Sequence, residues 1–275
     1  METKKQTGEK KKREGQKSRG VSAGIVIFIC AIIAASVYHF GLGHESNFEN
    51  NDPANHPINT WGNFHKGGWN VAIVMTLLFT VFVLSVERLF ALAKCKGKGN
   101  LINFVYDVKA ELKKGNISAA EALCAKQTGS VAAIVDAGLK KYREMETETH
   151  LTKEAKIQEI KNEVEEATTL ELPIMQQNLP IIAVISTLGT LFGLLGTVLG
   201  MIRSFAALAA DGGADPVALS AGISEALVNT ALGIGTGAAA TIMYSFFSGK
   251  VDNMVYAIDE MGFALTQTYA ETHNS

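Results

Sequence analysis

The sequence predicts an all-α integral membrane protein with four transmembrane helices and a helical cytoplasmic segment between the second and third. Three observations carry that fold class. Apolar residues make up 47% of the 275 positions and charged residues only 19%, below the roughly 25% charge of a typical soluble chain. Four stretches reach or approach the ~20 apolar residues that a helix needs to cross a bilayer core. Lys and Arg collect in alternate connecting segments, as the positive-inside rule requires of a polytopic protein.

The first stretch, Val21 to Phe40, follows a basic tail over residues 1–20 that holds Lys4, Lys5, Lys10, Lys11, Lys12, Arg13, Lys17 and Arg19. A basic start before an apolar run also describes a signal peptide. This run exceeds the ~7–15 residues of a signal core, and no clear small-x-small cleavage site follows it. Residues 21–42 therefore read as an additional, uncleaved N-terminal span. The tail mixes Lys with Glu and Gly and has no aromatic residue, so it reads as a disordered topogenic segment and no nucleic-acid partner is expected.

Residues 43–68 hold Lys66 as their one Lys or Arg and read as a periplasmic loop. The second span starts at Trp69 and meets Glu87-Arg88 at its end, followed by Lys94, Lys96 and Lys98. The third, Leu179 to Ile202, and the fourth, Ala226 to Phe247, contain no charge. The segment between them, Ala206 to Gly222, has no Lys or Arg, and the C-terminal tail opens with Lys250. Both termini are thus expected in the cytoplasm. Residues 69–275 read as one domain, with spans at about 69–91, 179–205 and 224–247 and cytoplasmic helices over 94–178 and 249–275.

Within the cytoplasmic segment, Leu101, Val105, Val108 and Leu112 recur at helical spacing, and Gly115 can end that helix. Ser118 and Glu121 form a capping-box pattern before a short Ala-rich helix. Val131, Val135, Leu139 and Tyr142 mark another apolar stripe. Thr152 to Leu170 is densely charged around Ile157, Ile160 and Val164, as in a helix that packs one stripe and solvates the rest. Pro173 and Pro180 are positioned to bend the chain where it enters the membrane. Val251, Val255, Ile258 and Leu265 predict an amphipathic helix after the last span.

The last two spans differ in kind from the first two. Gly189, Gly193, Gly196 and Gly200 put small residues on one face of the third, and Gly233 and Gly237 do so in the fourth. Such faces let helices approach closely in lipid. Packing explains the glycines but not the hydroxyls. Thr197 and Thr230 each lie deep in a charge-free run, where a Ser or Thr either bonds its own helix or lines a wet path. Arg203 and Glu225 flank the same region. They either snorkel to the interface or serve function.

Three segments carry a family resemblance. LFGLLGTVLGMIRSF over residues 191–205, ISEALVNTALGIG over residues 223–235 and the VERLFAL run from Val86 resemble the signatures of the MotA/TolQ/ExbB proton channel family, and its ExbB branch in particular. The resemblance covers roughly Trp69 to the C-terminus. The first span and loop are an addition to the usual three-span plan, and Arg203 stands where neutral residues are more usual. The resemblance implies a multi-pass protein of the inner membrane. It implies a homo-oligomeric ring, a pentamer, around an ExbD-like single-span subunit that bears a proton-accepting Asp. It also implies a TonB-like protein as recipient of the output. Thr197, Thr230 and Glu225 would then line the proton path.

One expectation goes past the family pattern. Setting Thr197 and Thr230 at one depth places Arg203 ~9 Å and Glu225 ~7.5 Å further toward the periplasm. An ion pair between them is expected, holding Glu225 ionised and out of proton carriage.

Other chemistry finds little support. There is no GxxxxGK[ST] phosphate loop and no HExxH pattern, and Cys30, Cys95 and Cys124 form no CxxC. His44, His56 and His65 share one loop without a recognised ligand spacing. No metal, cofactor or enzyme activity is expected. Competing readings are a TolQ-like or gliding-type motor, a passive scaffold, and a secondary transporter, for which the internal repeats and broken helices of that class are not seen.

Overall fold

The computed structural model describes residues 22–53, 55–210 and 216–273. The basic tail expected over residues 1–20 lies outside them. Helix α1 (Ala23–Ser36) continues as a π-helical stretch, Val37–Leu42. After a short α2 (Thr60–Lys66) come α3 (Trp69–Lys96), α4 (Leu101–Lys113), α5 (Ile117–Gln127), α6 (Gly129–Thr147) and α7 (Lys153–Gln176). The chain ends with α8 (Leu179–Ala210) and α9 (Pro216–Thr272). Four helices are long and apolar enough to cross a membrane, and they carry the four stretches read from the sequence.

By packing, the chain forms two compact units. The first comprises Ala23–Leu89 and Asn178–Gly249. Its polarity is the reverse of a soluble domain. Phe28 and Ile32 on α1, Phe82 and Val86 on α3, and Leu194 and Val198 on α8 are exposed, whereas Asn70, Thr80, Ser85, Arg88, Asn229 and Thr236 are buried. Large apolar side chains facing out and polar groups facing in fit an apolar solvent.

The segment between α1 and α3 is built on asparagine side chains. Asn47 Nδ2 donates to the Gly41 and Leu42 carbonyls at 2.9 and 3.0 Å. Asn59 Nδ2 donates to Asn47 Oδ1, while Asn59 Oδ1 caps α2 by accepting from Gly62 N. Tyr38 donates its hydroxyl proton to the His65 carbonyl at 3.0 Å and stacks on the His65 ring. Phe48 meets the same ring edge-on.

The second unit comprises Phe90–Gln177 and the chain from Lys250 onward. The stripes read from sequence face its core: Leu101, Val105, Val108 and Leu112 on α4, then Val131, Val135, Leu139 and Tyr142 on α6, all buried. Ile160, Val164, Val251, Ile258 and Leu265 join them. Gly138 marks a close helix approach, where a Cβ would lie 2.7 Å from Val164 and 2.8 Å from Leu265. Cys30, Cys95 and Cys124 are buried and form no disulfide among the described residues, and burial, with Asp136 and Glu121 nearby, pushes the Cys124 thiol up to about 12.

Local details differ from the sequence reading. The α5 cap is Asn116, whose side chain accepts from Ala119 N; Ser118 lies inside the helix. Asn is at least as good an N-cap as Ser and here stands two residues earlier. Pro173 is accommodated inside α7, and the chain turns only after Gln176, at Asn178 with φ 63°. Pro180 is the second residue of α8, where a missing N–H breaks no helical bond. The fourth span and the amphipathic helix after it are one helix, α9. Gly249 alone between them costs ~1 kcal/mol of helix propensity, too little to break it.

Candidate functional site

Helices α8 and α9 pack through the glycines picked out in the sequence. A Cβ at Gly193 would lie 3.0 Å from Gly233 Cα, and one at Gly189 3.0 Å from Gly237 N. At Gly200 it would meet the Ala226 Cβ at 2.9 Å, and at Gly196 the Asn229 Cβ at 2.4 Å. Backbones this close leave no room for a larger residue.

That approach brings Thr197 and Thr230 together. Their hydroxyls lie 2.5 Å apart, and both converge on the Gly193 carbonyl at 3.2 and 3.3 Å. Thr230 also donates within α9 to the Ala226 carbonyl at 3.1 Å. One hydroxyl proton is shared between the two oxygens while another bonds a carbonyl, and the pair can reorganise without either group ionising. Both side chains are half-buried. Thr197 is the hydrogen-bonding member of a shallow groove of about 580 Å³, otherwise lined by Leu194, Val198, Met201, Ile202 and Phe205.

About one and a half turns away, Arg203 Nη1 donates to Glu225 Oε1. The arginine side chain is 50% exposed and the glutamate 13%, so the pair joins a half-buried carboxylate to an open surface. The segment before α3 lies against it. Gly68, at φ 74°, sits where a Cβ would be 3.1 Å from Glu225 Oε1 and 3.4 Å from Arg203 Nη1. Three residues earlier, His65 has its pKa held below the ordinary 6.5, first by burial and then by Lys66 and His39.

Two features of the span unit escaped sequence reasoning. Arg88, read as a charge at the end of the second span, is 1% exposed and bonds both carboxylate oxygens of Glu87 at 2.6 Å. Asn178 Nδ2 adds a contact to the same carboxylate at 3.3 Å. Asn70, which drew no attention, bonds Asn229 across 159 residues of sequence. The adjacent Glu87-Arg88 in an apolar context is a signal for the first; nothing local signals the second.

The sequence model of the MotA/TolQ/ExbB proton channel family matches residues 127–260, which include Thr197, Arg203, Glu225 and Thr230. Three relatives are similar over parts of the chain. An ExbB homolog in biopolymer transport from Methanothermobacter thermautotrophicus is 24% identical over 71% of this chain and 65% of its own length. An ExbB-like protein of Synechocystis is 32% identical over 40% of this chain and 54% of its own. The Tol-Pal system protein TolQ of Pseudomonas aeruginosa is 28% identical over 44% of this chain and 53% of its own. The alignments thus span between about half and two thirds of these relatives. Residues 127–260 thus carry the pattern of the MotA/TolQ/ExbB proton channel family. The chain's four long apolar helices fit a multi-pass membrane protein, similar to ExbB and TolQ over the matched segment.

Proposed function

We propose that this chain is the ring-forming subunit of an ExbB-like, proton-driven motor in the inner membrane, with both termini in the cytoplasm. The observation that carries the reading is the Thr197–Thr230 contact, a hydroxyl pair held between two charge-free helix segments within the family-matched region. A threonine does not store a proton at neutral pH, but it passes hydrogen bonds to water or to a neutral carboxyl. The titrating group then belongs to a partner, an ExbD-like single-span subunit. A carboxyl in apolar surroundings has a raised pKa and can load and unload near neutrality. Each charge crossing the membrane releases about 2.3 kcal/mol per 100 mV, so several protons or small steps drive each cycle. In this reading the chains form a pentamer, Glu225 sits in the pore-facing region on the periplasmic side, and the output reaches a TonB-like protein.

A TolQ-like assignment is the second reading, favoured by the similarity to the Pseudomonas TolQ. Native mass spectrometry of the chain extracted in mild detergent separates the two. A homo-oligomer holding a small single-span protein supports the motor, and the periplasmic domain of that protein names the system. A monomer or dimer without it, across several detergents, overturns the motor reading. In reconstituted vesicles, Thr197→Val and Thr230→Val each abolish most proton flux if the hydroxyls line the path; undiminished flux sinks that role.

A further inference from the structure

Two asparagines outside the threonine pair join the helices that form it. Asn229 Oδ1 accepts from Asn70 Nδ2 at 3.1 Å. Asn229 Nδ2 donates to the Gly67 carbonyl at 2.8 Å and to the Glu225 carbonyl at 3.1 Å. Asn70 Nδ2 also donates to the Phe192 carbonyl at 2.8 Å. Asn229 is 1% exposed and Asn70 3%. One amide pair therefore bonds the start of α3, the middle of α8 and α9.

The orientation of Asn70 follows from its neighbours. The Phe192 carbonyl and the Asn229 oxygen are both acceptors, so the amide must present its NH2 group there. Its own Oδ1 is then buried without a hydrogen-bond partner. An unpartnered amide oxygen in an apolar interior is costly. A buried polar group retained against such a cost is best attested as a device that fixes helix register.

Register is what the glycine contacts between α8 and α9 leave open. Glycine faces let helices approach, but they offer few knobs to stop a slide. A slip of one turn would carry Thr230 ~5.4 Å from Thr197. Gly196 shows that the close approach and the clasp are one arrangement, because a Cβ there would lie 2.6 Å from Asn70 Nδ2 and within 2.6 Å of Asn229 Cγ.

We propose that Asn70 and Asn229 are positioning residues, forming a clasp that fixes the register of α9 against α8 and so sets both the Thr197–Thr230 contact and the seat of Glu225 beside Arg203. The functional weight of the clasp rests on the proton-path reading of those four residues; its geometry does not.

The test replaces Thr197 and Thr230 together by cysteine in the full chain, in native membranes, with the three buried native cysteines left in place. Side-chain oxygens in contact put the substituted sulfurs within disulfide reach. Formation of the 197–230 disulfide is followed by peptide mapping. Adding Asn229→Ala or Asn70→Ala is expected to slow it about tenfold, the scale of coupling between contacting residues. The double variant should fall no further than the single ones, because either change opens the same clasp. An unchanged rate in both single variants overturns the proposal. Should Asn229→Ala fail to accumulate, Asn70→Ala decides, since it leaves the bonds to Gly67 and Glu225 in place. Failure of both to accumulate overturns a positioning role in favour of a purely structural one. If the rate falls while Thr197→Val and Thr230→Val leave proton flux intact, the clasp stands and the proton-path reading falls.

Discussion

Arg88–Glu87 and Arg203–Glu225 are two ion pairs of the same chemistry in the same unit, built in opposite ways. The first joins neighbours in sequence on one helix, with its arginine 1% exposed. No shift between helices breaks it, and the Asn178 amide fastens its carboxylate to the turn before α8. The second joins α8 to α9, with its arginine half exposed. It holds only while those helices keep their register, and water reaches one partner. Burial and span, rather than the identity of the groups, make one pair a fixed anchor and the other a contact that helix motion can break.

The largest expected effect comes from breaking the anchor. Arg88→Ala leaves the half-buried Glu87 carboxylate without its arginine, a loss approaching the ~3–5 kcal/mol of a fully buried pair. Thermal denaturation in detergent should show a collapse in stability, and a mild effect would mean that the pair is solvated. Next comes Gly196→Ala, which forces a methyl group into the amides of Asn229 and Asn70. Overpacking of this kind costs ~1–3 kcal/mol, and it should lower proton flux together with the melting temperature.

Arg203→Gln sharpens the contrast. Half-exposed pairs contribute at most ~1 kcal/mol, so the melting temperature should barely move while proton flux in vesicles changes. A stability loss as large as that of Arg88→Ala would erase the distinction between the pairs.

The smallest effect concerns the segment beside the second pair. The pKa of His65 is lowered in the folded chain, so folding favours its neutral ring. That contribution is fully present above the unfolded value of ~6.5 and is lost as pH falls through the folded value. Melting temperature should therefore decline slightly as pH drops from about 7 to about 5, and His65→Gln should flatten that part of the decline.

The four spans were legible because long apolar runs have few alternatives, and the stripes of α4 and α6 because their period matches a helix. Thr197 and Thr230 stood out as deep hydroxyls between charge-free neighbours, and helical rise alone gave Arg203 and Glu225 comparable depths. Asn70 was illegible for a physical reason. An asparagine at the first turn of a span resembles any interfacial polar residue until the chain returns 159 positions later to meet it. The burial of Arg88 was illegible because adjacency to Glu87 looks the same in a solvated loop as in a packed corner. Asn47 and Asn59 tie the segment between α1 and α3 through bonds to carbonyls and to each other, which follow no short-range pattern.

The hydrogen that stands in for a side chain at Gly196 also has a historical consequence. The two amides and a methyl group at that point exclude each other, so substitutions there are not exchangeable in arbitrary order. The nearest atom at this point is the Asn229 Cβ, so a lineage that places alanine here must also let α9 draw back or carry glycine at position 229, and one that keeps the asparagine against α8 keeps the glycine. Among relatives, the three positions should therefore vary as a set: glycine with the two amides, or a larger residue with small neighbours, and seldom a mixture.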